Sequence, residues 1–481
     1  MNNDTVRVRF APSPTGYLHV GGLRTALFNY LFAKSNNGTF ILRIEDTDQN
    51  RFVEGALDNL ISTLKCMGLQ YDEGIDAGGD YGPYVQSKRK DLYTKAANEL
   101  LEKGKAYYCF CSSERLEEVR QKQIAEKKPP MYDRHCRELD PLEVSEKLKQ
   151  GTPHVIRMKV PLFGDIVFSD LIRGEVSFTC KILDDQVLVK SDGFPTYHLA
   201  NVVDDHYMKI SHIIRGEEWL PSTPKHVLLY QSFNWEIPKF AHLPLLLNPD
   251  RTKLSKRQGD VAVEDYLKKG YLPEAINNFV ALLGWNPGTE QEAFTLEELI
   301  QTFSINRVQK AGAVFDVNKL NWMNAHYLKN LSDKEITDLC IPYIKEKGFD
   351  VSDYDKLVKV LVAVRTHLNY LAEVTSYINI FFEDNVSFEN EEVKQITEKE
   401  SSQKVYSALL DIMRSAESVD KENFKGLMKK VQETTGIKGK DLFMPVRIAI
   451  TGQAHGPEMP LVVDVFGKEI CINRIEKLIK S

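Results

Sequence analysis

Two kinds of hydrophobic pattern divide this chain of 481 residues. They predict an α/β N-terminal half built on a parallel sheet and carrying an inserted α+β piece, followed by an all-α C-terminal half. Three observations support this. Residues 6 to 44 read strand, loop, helix, strand, the opening of a parallel α/β unit. A strand-rich stretch at 153–189 interrupts that pattern, which resumes at Asp192. Beyond about residue 330 apolar residues recur at helical spacing, with no convincing strand run before Pro445. A chain of this length holds two or more domains and a large core.

In the first unit, Val6, Val8 and Phe10 alternate with Arg7 and Arg9, a strand pattern. Pro12, Pro14 and Gly16 force a turn. After His19-Val20-Gly21-Gly22 a helix pattern begins with Leu23, Ala26, Leu27, Tyr30 and Leu31. Thr39 to Ile44 reads as a second strand, ending in Glu45-Asp46-Thr47-Asp48. Gly21 and Gly22 stand where the helix begins. Missing Cβ atoms let a ligand approach the backbone there, and open N–H groups and the helix dipole favour anions. A GG pair alone equally fits a tight turn with an incidental histidine. His19 directly before the pair, below PSPTG and opposite the acidic strand end, makes the loop a candidate binding site.

Residues 52 to 105 alternate helical patterns with the loop LQYDEGIDAGGDYGPYVQSKRKDLY. Cys109-Phe110-Cys111 then opens a different region, with a charged helix at 112–128 and Cys136 beyond it. Cys-x-Cys with a later third cysteine is a metal-like spacing. Tyr132, His135 and Glu138 compete for the fourth ligand place, and three chance thiols are the plain alternative. HVIRMKVP, GDIVFSDLIRGEVSF and CKILDDQVLVKS supply the strands of the interruption, with no residue that reads as catalytic.

The α/β pattern returns in DGFPTYHLANVVDDH, where Asp204, Asp205 and His206 stand together in a way that a plain core helix would not use. The strand His212 to Ile214 runs into Arg215-Gly216-Glu217-Glu218-Trp219. Ligand groups in α/β sheets gather at strand C-termini, so Arg215 is a site candidate, with a surface ion pair as its plain alternative. Lys253-Leu254-Ser255-Lys256-Arg257 places lysines and a serine on one loop. Past Gly259 the chain turns helical, broken once at Trp285-Asn286-Pro287-Gly288. Lys421, Lys425, Lys429, Lys430, Lys438 and Lys440 form either an RNA-facing stripe or a solvated helix face.

Composition limits the function classes. Charged residues make up 27% and hydrophobic ones 42%, ordinary for a soluble protein. No run approaches the roughly 20 apolar residues of a membrane span. The opening Met-Asn-Asn-Asp has no apolar signal core, so a cytoplasmic protein without a membrane partner is expected. A net charge of −6 means that any attraction to RNA must be local. Seven cysteines, an odd number, suit a reducing compartment.

These motifs resemble one family. PSPTGYLHVGG is similar to the first signature, HIGH, of class I aminoacyl-tRNA synthetases, and RFAPSPTG and RIEDTD narrow the likeness to the glutamyl/glutaminyl branch. KLSKR resembles the second signature, KMSKS; Tyr84, Gln86, Ser87 and Arg89 resemble the element GPYxQSxR. INRVQKAGAVFDVNKLNWMNAHYL resembles the segment that joins catalytic and anticodon-binding parts. The helical tail, with FMPVRIAITG and His455-Gly456-Pro457, resembles the bacterial-type glutamyl enzymes rather than members with β-barrel anticodon domains.

The resemblance implies a Rossmann-type catalytic domain split into 1–105 and 192–260. It implies an inserted acceptor-end-binding domain at 106–191, a connecting helical domain at 261–328 and an α-helical anticodon-binding domain at 329–481. It implies a two-step ligation of L-glutamate to tRNA-Glu through glutamyl-adenylate. His19 and Lys256 would be catalytic. His19, Gly21, Gly22, Lys253, Ser255 and Lys256 would hold ATP, which brings Mg²⁺. Arg9, Ser13, Glu45, Tyr197, Asn201 and Arg215 would hold glutamate. Some relatives carry zinc through Cys-x-Cys, a tyrosine and a third cysteine; Cys109, Cys111, Tyr132 and Cys136 match that spacing, with Glu138 as the alternative fourth ligand. Members of this kind typically need bound tRNA before they activate glutamate. A monomer is expected, and charging of tRNA-Gln as well is left open.

Overall fold

The computed structural model describes residues 5–48, 51, 53–254, 262–383 and 385–480. The chain forms two compact units: Met1–Asp265 with Asn277–Asp316, and Tyr266–Ile276 with Val317–Ser481. The stretch 261–328, expected as a connecting piece, is thus shared between the two units.

The first unit opens as its sequence pattern indicates. Strand β1 (Arg7–Phe10) and strand β2 (Thr39–Leu42) pair in parallel across helix α1 (Val20–Ser35). α1 packs against β1 and β2 on one side and the helix Leu296–Thr302 on another, which is why eleven of its residues are buried. The strand expected to run to Ile44 changes partner after Leu42: Ile44 bridges to Val85 in parallel. Helices α2 (Ala56–Cys66) and α3 (Lys90–Glu102) follow.

Strands β3 (Ala106–Cys109), β4 (Val155–Met158) and β7 (Val187–Val189) form a three-stranded sheet in the order β3-β4-β7, with antiparallel pairs. Two helices lie between β3 and β4: α4 (Ser113–Ala125), capped by Ser112, and α5 (Pro141–Lys149), capped by Asp140. These caps satisfy N–H groups that helix ends leave open. Strands β5 (Asp165–Asp170) and β6 (Gly174–Thr179) make a hairpin. Although these strands lie within the interrupting stretch, they do not stand apart from the main sheet. After α6 (Tyr197–Tyr207), β8 (His212–Gly216), α7 (Thr223–Phe233) and β9 (Lys239–Leu243), the strand order is β6-β5-β9-β8, and β5 meets β9 in parallel at Asp170 and Phe240. On the other side β8 runs beside β1, where Ser211 N–H donates to the Arg7 carbonyl at 3.0 Å. The C-terminal ends of β1, β2 and β8 therefore open toward one place.

The second unit is helical throughout its described residues. Its helices include Asp333–Glu346, opened by a capping box from Ser332 and Glu335, Tyr354–Val364, Glu400–Ser415 and Lys440–Thr451. They enclose one core that includes Ile336, Leu361, Tyr406, Leu409, Val446 and Ile475. The absence of strands that the sequence indicated beyond residue 330 holds for the described residues.

Candidate active site

A cavity of ≈ 920 Å³ opens where β1, β2 and β8 end. Its lining includes Arg9, Ser13, His19, Gly21, Gly22, Glu45, Tyr197, Asn201, Arg215 and Lys253, so the structure brings together every expected substrate residue that it describes. Ser255 and Lys256 lie outside the described residues.

His19 caps α1. Its backbone is extended, and its Nδ1 accepts the Gly22 N–H at 3.0 Å. An imidazole that accepts at Nδ1 while neutral carries its proton on Nε2. Side chains added at the glycines would crowd this turn. A Cβ on Gly21 would come within 3.1 Å of the His19 Nδ1, and one on Gly22 within 2.8 Å of Leu18. Exposed Lys253 borders the same cavity, and its carbonyl accepts from the Asn248 amide.

Below the cavity lies a buried charge network that no sequence motif announced as such. Asp205 bridges Arg9 Nε (3.0 Å) and Arg43 (2.7 Å), and Arg43 also holds Glu45 at 3.1 Å. Asp204 accepts from Arg89 (2.7 Å), Tyr93 (2.8 Å) and Gln86 (2.9 Å). The element read as GPYxQSxR is therefore largely a clamp on Asp204, while its Ser87 fixes Asp46 through backbone and hydroxyl at 2.8 and 2.6 Å. Three arginines face three carboxylates, so buried charge is matched, as burial demands. Burial alone would depress the Arg43 guanidinium, but Asp205, Glu45 and Asp204 hold it well above its ordinary range. Burial also pushes the Asp205 carboxyl up, yet Arg43 and Arg9 bring it below the usual range. Glu45 is different: burial raises it, and Arg43 and Arg9 only partly compensate. Asn201, on α6, sits against Glu45, Asp205 and Arg43.

Arg215, at the end of β8, has neutral partners. It donates to the Tyr197 hydroxyl (3.1 Å), His226 Nδ1 (3.3 Å), His242 Nε2 (3.1 Å) and the Thr223 hydroxyl (2.8 Å). Burial keeps His226 well below the ordinary histidine range and holds its neighbour His198 at about 4, so both stay neutral. Tyr197 in turn packs against Trp219, with ring centroids 4.4 Å apart. Thr223, His226 and His242 were missed in the sequence because no spacing marks them. Trp219 stood beside Arg215 as a visible signal.

The three thiols converge as their spacing indicated. The Sγ atoms of Cys109, Cys111 and Cys136 lie within 4.8 Å of one another. The Tyr132 hydroxyl lies 3.3 Å from Cys109 Sγ and 3.5 Å from Cys111 Sγ. Hydrogen bonding between Cys109 and Cys136 draws the Cys109 thiol below its ordinary range and pushes the Cys136 thiol above it, and burial raises the Tyr132 hydroxyl. Glu138 is turned away, paired with Lys159 at 3.2 Å, and His135 is exposed.

A helix N-terminus with a capping histidine, exposed Lys253 at the rim and two buried arginines meet in one cleft, an arrangement suited to a nucleotide beside an anionic co-substrate. The chain belongs to the family described as class I tRNA synthetases (E and Q), whose catalytic-domain model matches residues 5–322; an anticodon-binding domain model matches residues 335–479. It is 51% identical to the glutamate–tRNA ligase of Clostridioides difficile (strain 630) over 98% of both chains. It is 49% identical to that of Alkaliphilus metalliredigens (strain QYMF), again over 98% of both. The crystal structure of a glutamate tRNA ligase from Elizabethkingia meningosepticum in complex with its amino acid superposes with a TM-score of 0.92, at 39% identity over 99% of each chain.

Proposed function

We infer that this chain is a glutamate–tRNA ligase, joining L-glutamate to the 3′ end of tRNA-Glu. The observation that carries this is the single cleft in which buried Arg9 and Arg215 stand opposite the His19-capped start of α1. A glutamate carboxylate oxygen attacks the α-phosphorus of ATP, the bond to the bridging oxygen breaks, and pyrophosphate leaves. The terminal 2′-hydroxyl of the tRNA then attacks the acyl carbonyl, the mixed anhydride breaks, and AMP leaves. Positioning and charge stabilisation serve such a transfer, so no protein nucleophile is needed. His19 donates from Nε2 to the α-phosphate, and Gly21 and Gly22 admit the nucleotide. Lys253, Ser255 and Lys256 hold the outer phosphates, whose Mg²⁺ counter-ion arrives with ATP. Glu45 and Asn201 take the ammonium end of glutamate, with Ser13 at the mouth. Arg215, Arg9 and Tyr197 take its side chain. ATP–pyrophosphate exchange with glutamate, run with and without tRNA, tests the reading. Absence of glutamate-dependent exchange in the presence of tRNA-Glu would refute it. The same preparation, offered both tRNAs, decides whether tRNA-Gln is charged, and its mass in solution tests the expected monomer. The functional divisions expected from the sequence, 1–105 with 192–260, 106–191, 261–328 and 329–481, belong to this proposal; the compact units divide 261–328 differently.

Lys256→Ala is expected to slow adenylate formation far more than it weakens glutamate binding, because a contact to the outer phosphates gains strength as pyrophosphate separates. Single-turnover adenylate formation with tRNA bound is the measurement, and an unchanged rate would remove Lys256 from catalysis.

Zinc is expected on Cys109, Cys111 and Cys136, with Tyr132 in the fourth place. The donor set suits it: three soft sulfur donors already gathered within reach of one ion. The metal would tie the end of β3 to the loop before Arg137 and take no part in the reaction. Metal analysis of reduced protein purified without chelator should find about one zinc per chain, lost in Cys136→Ser. Finding none leaves three ordinary thiols.

A further inference from the structure

The reading of Arg215 as the anchor of the substrate side chain leaves open how a buried guanidinium is held in place with its charge unspent. Arg215 is 4% exposed. Among the described residues, its hydrogen-bond partners are a tyrosine, a threonine and two histidines, all neutral, and its guanidinium lies 5.9 Å from the centroid of the Phe240 ring. Behind it stands Asp170, at the C-terminal end of the hairpin strand β5. Asp170 Oδ2 lies 2.6 Å from His242 Nδ1, and both side chains are fully buried. The carboxylate is itself fixed, accepting the backbone N–H groups of His242 (3.1 Å), Ile172 (2.9 Å) and Arg173 (2.8 Å).

His242 Nε2 also meets the Thr223 hydroxyl at 3.1 Å, and one arrangement of protons satisfies all of these neighbours. An ionised carboxylate only accepts, so His242 Nδ1 carries the hydrogen. A neutral imidazole with its proton on Nδ1 turns a lone pair from Nε2 toward Arg215 Nε–H. The other tautomer would set N–H against N–H, and a protonated ring would repel the guanidinium. Burial favours the neutral ring, pulling it below the ordinary range against the opposing effect of Asp170. A carboxylate in direct contact with Arg215 would hold it equally well, but would cancel the charge that a substrate carboxylate needs. An interposed neutral imidazole fixes the side chain and keeps that charge available.

We propose that Asp170 and His242 are positioning residues for substrate choice: Asp170 sets the tautomer of His242, and His242 holds Arg215 in line for the substrate's side-chain carboxylate. This assigns a task to the β5–β6 hairpin, in which the sequence showed nothing catalytic.

The test is ATP–pyrophosphate exchange by the full chain with tRNA-Glu, using glutamate and glutamine in parallel. Asp170→Asn and His242→Met are expected to raise KM for glutamate by about tenfold or more, the loss of a hydrogen bond to a charged group, and to narrow the preference for glutamate over glutamine. KM for ATP should stay constant. His242→Gln should recover much of the loss, because its amide oxygen can stand where Nε2 stood. Nitrogen-15 imidazole spectra should show the Nδ1–H form in the parent chain and its loss in Asp170→Asn, a signature that a merely structural role would not give. If Asp170→Asn and His242→Met keep glutamate KM and preference while Arg215→Ala loses both, Arg215 works without this support and the proposal is overturned, with the reading of Arg215 intact. If Arg215→Ala also keeps them, it is the reading of Arg215 that fails. Should Asp170→Asn not fold, equal losses in His242→Gln and His242→Met count against the proposal.

Discussion

Arg215→Ala is expected to lower kcat/KM for glutamate by at least about a hundredfold, the scale of about 2–5 kcal/mol seen when one partner leaves a desolvated charge pair. It should also narrow the preference for glutamate over glutamine. The two amino acids differ by oxygen against NH₂, so shape cannot separate them. Charge and donor count can. A guanidinium gives a carboxylate charge-assisted hydrogen bonds, but it cannot accept from an amide NH₂. The neutral surroundings of Arg215 sharpen this expectation, since among the described residues no carboxylate hydrogen-bonds it to offset the loss. Affinity for ATP should barely change, because His19 and Lys253 are untouched. Full discrimination retained alongside lost ATP binding would place Arg215 in the nucleotide site.

The second large effect is expected on stability. Asp205 is fully buried and shared between Arg9 and Arg43. Asp205→Ala leaves two buried guanidinium groups short of a carboxylate, and breaking a buried pair in this way costs about 3–5 kcal/mol. Three of the tryptophans, Trp219, Trp235 and Trp285, belong to the first unit and one, Trp322, to the second. Tryptophan fluorescence in urea therefore follows mainly the affected unit, whose transition should move to lower urea. A midpoint equal to that of the parent chain would mean that Arg9 and Arg43 find other partners. Asp205 also has a consequence for the site: it holds the Nε of Arg9, which borders the cavity, so glutamate KM should rise in any folded variant.

The parts of the site that sequence made visible are those tied to local geometry. His19, Gly21 and Gly22 stand where a strand–turn–helix pattern must expose N–H groups, and Arg215 closes an apolar run that could only be a strand. What stayed hidden was pairing. Arg9 and Asp205 lie 196 positions apart, Arg43 and Asp205 162. A chain with 68 acidic residues offers Arg43 many candidate partners and no local rule to choose between them. Asp204 and Asp205 announced themselves only as too polar for a core helix. The convergence of the thiols was legible from their short spacing, whereas the position of the Tyr132 hydroxyl beside them depends on the fold of the loop before Cys136, which spacing does not encode.

The attachment of β5 to β9 also bears on how this protein could be cut or rebuilt. An insertion that merely hangs from a sheet can be excised, and the host closes over the gap. Here the guest supplies part of the host's border. Deleting 106–191 would remove the neighbour of β9 and leave a strand rim with open N–H and C=O groups, a template for self-association. A minimal version of this enzyme would have to keep the hairpin even after discarding everything around it, or sew a new edge in its place.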